Sequence, residues 1–155
     1  MIRDYDPARD RAAVRACFAE LQDVERGLEP ALPAGVAVAE AYLDFMFARS
    51  AEWDGAVFVA EEGGAVVGFV CVWARVPPDD PSEVRSCAHV SDLVVLPAWR
   101  GRGIGHALLA RGEAYARTRG AERLRIGVMA RNEGARRLYV TSGFREVYVL
   151  LTKAL

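Results

Sequence analysis

Lysine is nearly absent from this 155-residue chain; the single copy is Lys153. A Walker A loop, which needs a Gly-Lys-Ser/Thr run beneath the phosphates, is thereby excluded. Cysteine is scarce too. Cys17, Cys71 and Cys87 are too few and too scattered for a disulfide framework, and none belongs to a Cys-x-x-Cys pair. With only His89 and His106 beside them there is no zinc-ligand spacing, so no metal is expected. No base partner can be placed beside any of the three thiols, which read as small core residues. Long hydrophobic runs are missing: the longest, Val66 to Ala74, is far short of a membrane span. Met1 to Asp6 lacks the apolar stretch of a signal peptide, and a cytoplasmic protein with reduced thiols is expected. Nor does one charge dominate. The 20 basic and 21 acidic residues leave a net charge of −1, so no global field draws in nucleic acid or a membrane. Any phosphate must be caught locally.

What is present is core-forming sequence. With 52% hydrophobic and 26% charged residues, the chain has the profile of one globular domain, expected to span residues 1–155. Ile2 to Tyr5 reads as a short strand. Asp6-Pro7 follows as N-cap and first helical residue, opening a helix with Val14, Cys17, Phe18 and Leu21 at helical spacing that ends near Asp23. Gly27, Pro30, Pro33 and Gly35 break the chain before a second helix, Val36 to Arg49. Ala56 to Glu61 and Ala65 to Val76 read as strands joined at Glu62-Gly63-Gly64. Ala88 to Leu96 is a strand closed by Pro97, and Ile104 to Arg119 a helix ended by Gly120. Glu122 to Met129 alternates as a strand, Asn132 to Ser142 is a short helix, and Phe144 to Thr152 returns as one or two strands. The order β-α-α-β-β-β-α-β-α-β gives an α/β fold: strand hairpins first, then one β-α-β crossover.

The sharpest local signal is Arg100-Gly101-Arg102-Gly103-Ile104-Gly105, between a strand and a helix. Missing side chains let a ligand approach the backbone, and the first N–H groups of a helix point outward as anion donors. A purely structural turn would gain nothing from these glycines, each costing about 1 kcal/mol inside a helix. The turn reads as a phosphate cradle. A dinucleotide fingerprint, Gly-x-Gly-x-x-Gly, fails: counted from Gly101 its third glycine would be His106, and from Gly103 it would be Leu108.

Arg100-x-x-Gly103-x-Gly105, preceded by Leu93-Val94-Val95-Leu96-Pro97, resembles the acetyl-CoA signature of the GNAT family of N-acetyltransferases. A second stretch, Asn132-x-x-Ala135-x-x-Leu138-Tyr139-x-x-x-Gly143-Phe144, resembles the family independently, and Val57 to Val70 looks like its central hairpin. The resemblance runs from about Ala56 to Phe144. It implies a mixed, mostly antiparallel sheet of about six to seven strands flanked by about four helices. It also implies an acetyltransferase moving an acetyl group from acetyl-CoA to an amine by direct attack in a ternary complex; the alternative is a non-catalytic acetyl-CoA sensor. The expected partners are acetyl-CoA and an amine-bearing substrate, with a homodimer left open.

By the same resemblance, the strand Val90 to Leu96 splays from its neighbour, and backbone groups of Leu93, Val94 and Val95 meet the pantetheine arm and thioester. Arg100, Gly101, Arg102, Gly103, Ile104, Gly105 and His106 hold the pyrophosphate, and Asn132 bonds near the pantetheine. Arg136 is one of four arginines, with Arg102, Arg131 and Arg137, available to the adenosine end. Tyr139 stands where the family places the acid that protonates the leaving thiolate; the plainer reading is a half-buried aromatic beside Leu138. For the base, His89, Asp92 and water remain open. Strict alternation places His89, Ser91, Leu93 and Val95 on one face and Val90, Asp92 and Val94 on the other. Histidine suits the task by its ordinary pKa, although a strand histidine satisfied by a backbone group is the plain alternative. A bulge would reverse the facing and present Asp92 instead. Substrate choice is expected from Glu25 to Arg49, the loop Pro77 to Glu83, and residues after Phe144. Tyr42, Phe45 and Trp73 could wall an acceptor pocket, and Asp79, Asp80 and Glu83 could attract a cationic amine.

Overall fold

The computed structural model describes residues 1–79, 81–82 and 87–155. Asp80 and Glu83, two members of the acidic loop, lie outside the described residues. The chain runs β1 (Ile2–Asp4), α1 (Arg11–Leu28), α2 (Gly35–Glu52), β2 (Gly55–Glu62), β3 (Ala65–Val76), β4 (Cys87–Val95), a 3-10 turn (Pro97–Trp99), α3 (Ile104–Thr118), β5 (Arg123–Ile126) and α4 (Glu133–Thr141). Strand order in the sheet follows the chain, β1-β2-β3-β4-β5. Every pairing is antiparallel except β4 with β5, which the α3 crossover makes parallel. The expected mixed, mostly antiparallel sheet with four helices is what forms.

Two differences from the sequence reading have physical causes. The first helix starts at Arg11, four residues beyond Pro7, because Asp6 is spent on a turn: its Oδ1 accepts from the Ala8 N–H (2.9 Å) and its carbonyl from the Asp10 N–H (2.8 Å). Asp10 takes the N-cap position instead. The second concerns the strand count, which is five among the described residues rather than six to seven. β5 stops at Ile126, and Phe144 to Thr152 forms no strand.

The sheet is covered on both faces. On one, α1 and α2 bury Val14, Phe18, Leu43 and Met46 against Val57, Val59, Phe69, Cys71, Trp73 and Val94. On the other, α3 and α4 bury Leu108, Leu109, Ala116 and Tyr139 against Phe58, Val70, Val72 and Val90. Having core on both sides explains why β3 reads as a continuous apolar run rather than an alternating one. No helix among the described residues is long and apolar enough to cross a membrane.

Where α1 leaves β1, an ion pair joins the two. Asp10 is 1% exposed and takes both guanidinium nitrogens of Arg3, at 2.6 and 2.8 Å, plus the Asp6 N–H at 2.8 Å. Arg3, then the backbone bond, holds the Asp10 carboxyl below the usual carboxylate range against the opposing effect of burial. Its contribution is therefore complete above the ordinary aspartate pKa of about 3.9 and lost as pH falls through the lowered native value. Asp10→Ala is expected to cost about 3 kcal/mol, through loss of the charge-assisted bonds from Arg3 and from the Asp6 N–H, with Arg3 keeping its bond to Glu61. Denaturant unfolding between pH 3 and 7 should show the gap to the unsubstituted protein narrowing at the acid end.

Candidate active site

The site begins with a fault in β4. Cys71 stands opposite Asp92 and the next residue, Val72, opposite Val90, so Ser91 is an extra residue with no partner on β3. On the other side, β5 pairs only Cys87 through Val90. From Ser91 onward β4 has lost its parallel neighbour, and one of its edges is open. The Leu96 N–H bonds the Val67 carbonyl at 2.9 Å, so by alternation the backbone groups of Leu93 and Val95 point away from β3, into the gap. The Val95 carbonyl already accepts from Arg100 Nε there at 2.8 Å.

The bulge corrects the facing that strict alternation implies. His89 lies 5.7 Å from the Trp73 ring, on the α1–α2 side, whereas Leu93 and Val95 pack with the α3–α4 core. Asp92 joins His89's side, bonded to Tyr42 of α2. One extra residue switches the phase of the strand, so the carboxylate and the imidazole share a face.

Asp92 is 5% exposed and pairs with no cationic side chain among the described residues. The Tyr42 hydroxyl donates to its two oxygens at 2.9 and 3.0 Å, and the Ser91 hydroxyl donates at 2.7 Å. These neutral donors offset the loss of water only in part: burial, with help from the charge of Glu25, pushes the carboxyl up to about 6. His89 moves the other way, to about 4, through burial first and then the charge of Arg125, while a hydrogen bond to the Arg125 backbone opposes the fall. Its Nδ1 is buried with no partner among the described residues. Tyr139 of α4 is 8% exposed and is pushed up to about 12 by burial and by the charges of Glu25 and Asp92. It belongs to the α3–α4 core, so the field of Asp92 reaches it from the other face of the sheet, beside the open edge of β4. Cys71 is raised to about 12 by burial, which denies it a thiolate and leaves it a core residue.

Glu25 was legible only as the start of a substrate loop. α1 in fact continues to Leu28, which puts Glu25 on its last turn, half-buried, its carboxyl raised by burial. It acts electrostatically on Asp92, Tyr42 and Tyr139 together. No motif marks it; only the packing of α1 brings it to the gap. The aromatic wall does assemble, with Tyr42 and Phe45 centroids 5.9 Å apart and Phe45 and Trp73 6.2 Å apart. Tyr42 also stacks on Phe18 at 3.9 Å, which fixes the hydroxyl that Asp92 uses.

β4 leads through the 3-10 turn into the glycine-rich segment. Gly101 (φ 73°) and Gly103 (φ 79°) adopt the left-handed conformation, which a side chain would strain. Gly105 serves packing instead: a Cβ there would meet Leu138 of α4 at 3.2 Å. Gly103 is the N-cap of α3, with no side-chain cap and no acidic residue in the first turn. The first N–H groups, those of Ile104, Gly105 and His106, are thus left to an outside acceptor. Arg102 lies over the Trp99 ring at 4.8 Å, and His106 Nε2 is 3.1 Å from Thr141 Oγ1. Asn132 caps α4, its Oδ1 accepting from the Ala135 N–H at 3.1 Å, a structural role its motif position does not announce. Arg136 bonds the Ala130 carbonyl (3.1 Å) and Glu146, and Arg131 bonds the Leu28 carbonyl of α1. A concave surface of about 490 Å³ is lined by Asp23, Arg26, Gly27, Pro30 and Ala34. The site is an open notch in the sheet.

A family model described as the acetyltransferase (GNAT) family matches residues 19–144, most of the chain. The chain belongs to the GNAT family. Within that family it is 39% identical over 97 residues to the aminoalkylphosphonate N-acetyltransferase of Salmonella typhimurium, covering 63% of this chain and 61% of that protein. A mycothiol acetyltransferase of Sanguibacter keddieii is 29% identical over 150 residues, 96% of this chain and 44% of its own length. This GNAT chain spans from 40% to 66% of the length of the curated relatives first matched. Among solved structures, a tetramutant of the BH1408 protein from Bacillus halodurans shares the fold with a TM-score of 0.77 at 22% identity, over 100% of this chain and 99% of that one. The aminoglycoside N-acetyltransferase AAC(6')-Iy, solved with a bisubstrate analogue of CoA, does so with a TM-score of 0.69 at 20% identity, over 100% and 97%.

The raised carboxyl of Asp92 has a measurable cost. Its burial penalty is absent below the ordinary aspartate pKa of about 3.9 and grows as pH rises through the native value. Asp92→Asn, which keeps an oxygen for Tyr42, is expected to be more stable than the unsubstituted protein at pH 8, by about 2–3 kcal/mol. The advantage should shrink toward pH 4. Equal stabilisation at both pH values in denaturant titrations would show that Asp92 is not held in this state.

Proposed function

We propose that this GNAT chain transfers an acetyl group from acetyl-CoA to an amine acceptor by direct attack, with Asp92 as the base and Tyr139 as the acid. The observation that carries the reading is the meeting of three features at one end of β4. These are an open backbone edge at Leu93 and Val95, an uncapped helix N-terminus behind Gly103, and a buried carboxyl and a buried phenol that release their protons at widely separated pH values.

Each part matches a need of acetyl-CoA. The pyrophosphate fits the free N–H groups of Ile104, Gly105 and His106, with Arg100, Gly101 and Arg102 beside them. The amides of the pantetheine arm fit the unpaired N–H and C=O groups of β4, a strand-like pairing. Backbone donors around Val94 and Val95 can meet the charge that develops on the thioester oxygen. Asn132 and Arg136 flank that path from α4, and Arg137, exposed and with no ion pair or hydrogen bond from its guanidinium among the described residues, is the freest cation for the 3′-phosphate.

An alkyl amine has a pKa near 10.4 and must give up a proton before it attacks. A carboxylate at about 6 is better matched to this near neutrality than an imidazole at about 4, which favours Asp92 over His89. The amine nitrogen bonds to the acetyl carbon, the carbon–sulfur bond breaks, and the thiolate takes a proton. Tyr139, at about 12, still holds one to give. Glu25 and Asp92 together make the notch negative, which suits an acceptor that arrives as a cation. The names of the relatives point to unlike acceptors, so the family does not specify this one.

Thiol release from acetyl-CoA should be detected with at least one member of an amine panel. Tyr139→Phe is expected to lower kcat about 100-fold or more with acetyl-CoA affinity kept. The acid limb of kcat/KM near pH 6 should vanish in Asp92→Asn and persist in His89→Ala. Turnover near the unsubstituted level in Tyr139→Phe would remove it as the acid. Binding of acetyl-CoA without release for any amine would make the protein a sensor of that molecule.

A further inference from the structure

On the face of β4 that carries Asp92, rings from α2 and β3 form a row. Tyr42, whose hydroxyl donates to Asp92, has its ring centroid 5.9 Å from that of Phe45, and Phe45 lies 6.2 Å from Trp73, edge to face. Trp73 in turn meets Trp53 at 5.1 Å and His89 at 5.7 Å. Tyr42 is half-buried and Trp73 buried, yet Phe45 between them is 47% exposed. The other large apolar residues exposed before Gly143 among the described residues are Met1, Val36, Val128 and Val140, none of them aromatic. α2 turns Ala39, Leu43 and Met46 to the core, and Phe45 stands outside that cluster. Its ring is nonetheless held in place. Arg49, which pairs with Glu52, lies over Phe45 at 5.6 Å and over Trp53 at 5.1 Å.

A fixed, half-exposed ring beside a base is a ready seat for the body of an acceptor. The row offers that body no free polar side-chain atom. Trp73 directs its indole N–H to Ser50 Oγ at 3.2 Å, Tyr42 directs its hydroxyl to Asp92, and Phe45 has none. His89, lowered to about 4 by burial, is neutral near pH 7, and its Nδ1 is enclosed. A sugar or a polyamine laid here would lose water and gain no hydrogen bonds in return. A flat apolar group would gain both burial and ring contact. The register sets the spacing. Cys71 pairs with Asp92 and Trp73 with His89, two residues apart on β3, so the carboxylate and the ring row stand about 7 Å apart. A short aliphatic spacer between an amine and a ring spans that distance.

We propose that the acceptor is an amine bearing an aromatic ring on a short aliphatic spacer, and that Phe45 is the residue that selects it. The inference rests on Asp92 being the base of the transfer. The ammonium group approaches the negative notch made by Asp92 and Glu25, and the ring lies against the open face of Phe45 with Trp73 behind it. Phe45 follows Tyr42 by about one helical turn, so a single helix serves both ends of the acceptor. Tyr42 fixes the carboxylate, and Phe45 fixes the distance from it at which a ring is held. Phe45 touches no reacting atom. Its removal changes which amine is used more than whether any amine is used.

Thiol release from acetyl-CoA by the intact protein should give phenethylamine a kcat/KM about 10-fold or more above those of n-butylamine and glucosamine. That ranking needs no variant. In Phe45→Ala the ratio of phenethylamine to n-butylamine should fall about 10-fold or more, and Phe45→Trp should restore it. Equal use of phenethylamine and n-butylamine, or a preference for glucosamine, overturns the proposal. A ratio unchanged in Phe45→Ala overturns it as well, because the ring would then be held elsewhere. Calorimetry separates this inference from the reaction it rests on. With CoA bound, phenethylamine should bind, and Phe45→Ala should raise its Kd about 10-fold or more. Such binding with no thiol release from any amine overturns the transfer while supporting the aromatic seat; absence of both binding and release overturns both.

Discussion

The notch in this sheet follows from one extra residue in β4. Ser91 has no partner on β3, and the hydrogen-bonded ladder to β5 ends beside it, at Val90. A bulge increases local twist and turns the strand out of register. The gap that follows exposes backbone groups in the middle of a protein that otherwise covers both faces of its sheet. It also brings Asp92 onto the face where His89 and Tyr42 lie. Without the bulge, the open edge and the carboxylate would not coincide.

Two buried aspartates show how the same side chain serves unlike ends. Asp10 has a guanidinium in bidentate contact and is held below its usual range; it joins β1 to α1 and stays charged. Asp92 is nearly as buried, but its donors are neutral hydroxyls from Tyr42 and Ser91. It rises to about 6, on the edge of protonation at neutral pH. Fixing a carboxylate without a counter-charge is costly for folding, and such groups concentrate where proton transfer is needed. Glu25 acts on the ionisation of Asp92, and both act on that of Tyr139, which ties α1, β4 and α4 into a single electrostatic unit.

The glycine turn divides its labour. Gly101 and Gly103 supply left-handed backbone that lets α3 start with its N–H groups outward, and Gly105 lets Leu138 of α4 pack close to that start. The contact couples the anion-binding end of α3 to the helix bearing Tyr139. Asn132 does similar double service, capping α4 with its oxygen while its amide group remains free for other partners among the described residues.

Most of the architecture could be read from the chain. Periodicity located all four helices and five strands because each buries an apolar face against a neighbour, and Gly63 and Gly64 marked the hairpin between β2 and β3. The glycine turn and the Asn132 to Phe144 motif fixed the family, since backbone conformation and capping need particular residues at particular offsets. What alternation could not supply was facing beyond the bulge. Whether a strand keeps its phase depends on its neighbour's register, a long-range property, so Asp92 and His89 could not be ranked from spacing. Glu25 carried no local signal, and its place at the notch comes from how far α1 extends and how it packs. Val147 to Leu151 is strand-like by composition, yet a strand exists only where another chain segment offers hydrogen bonds. The sequence by itself determined which segments seek a core and where the backbone must turn. The tertiary structure decided which charges meet in the notch and which edges stay open, because both depend on partners distant in the chain.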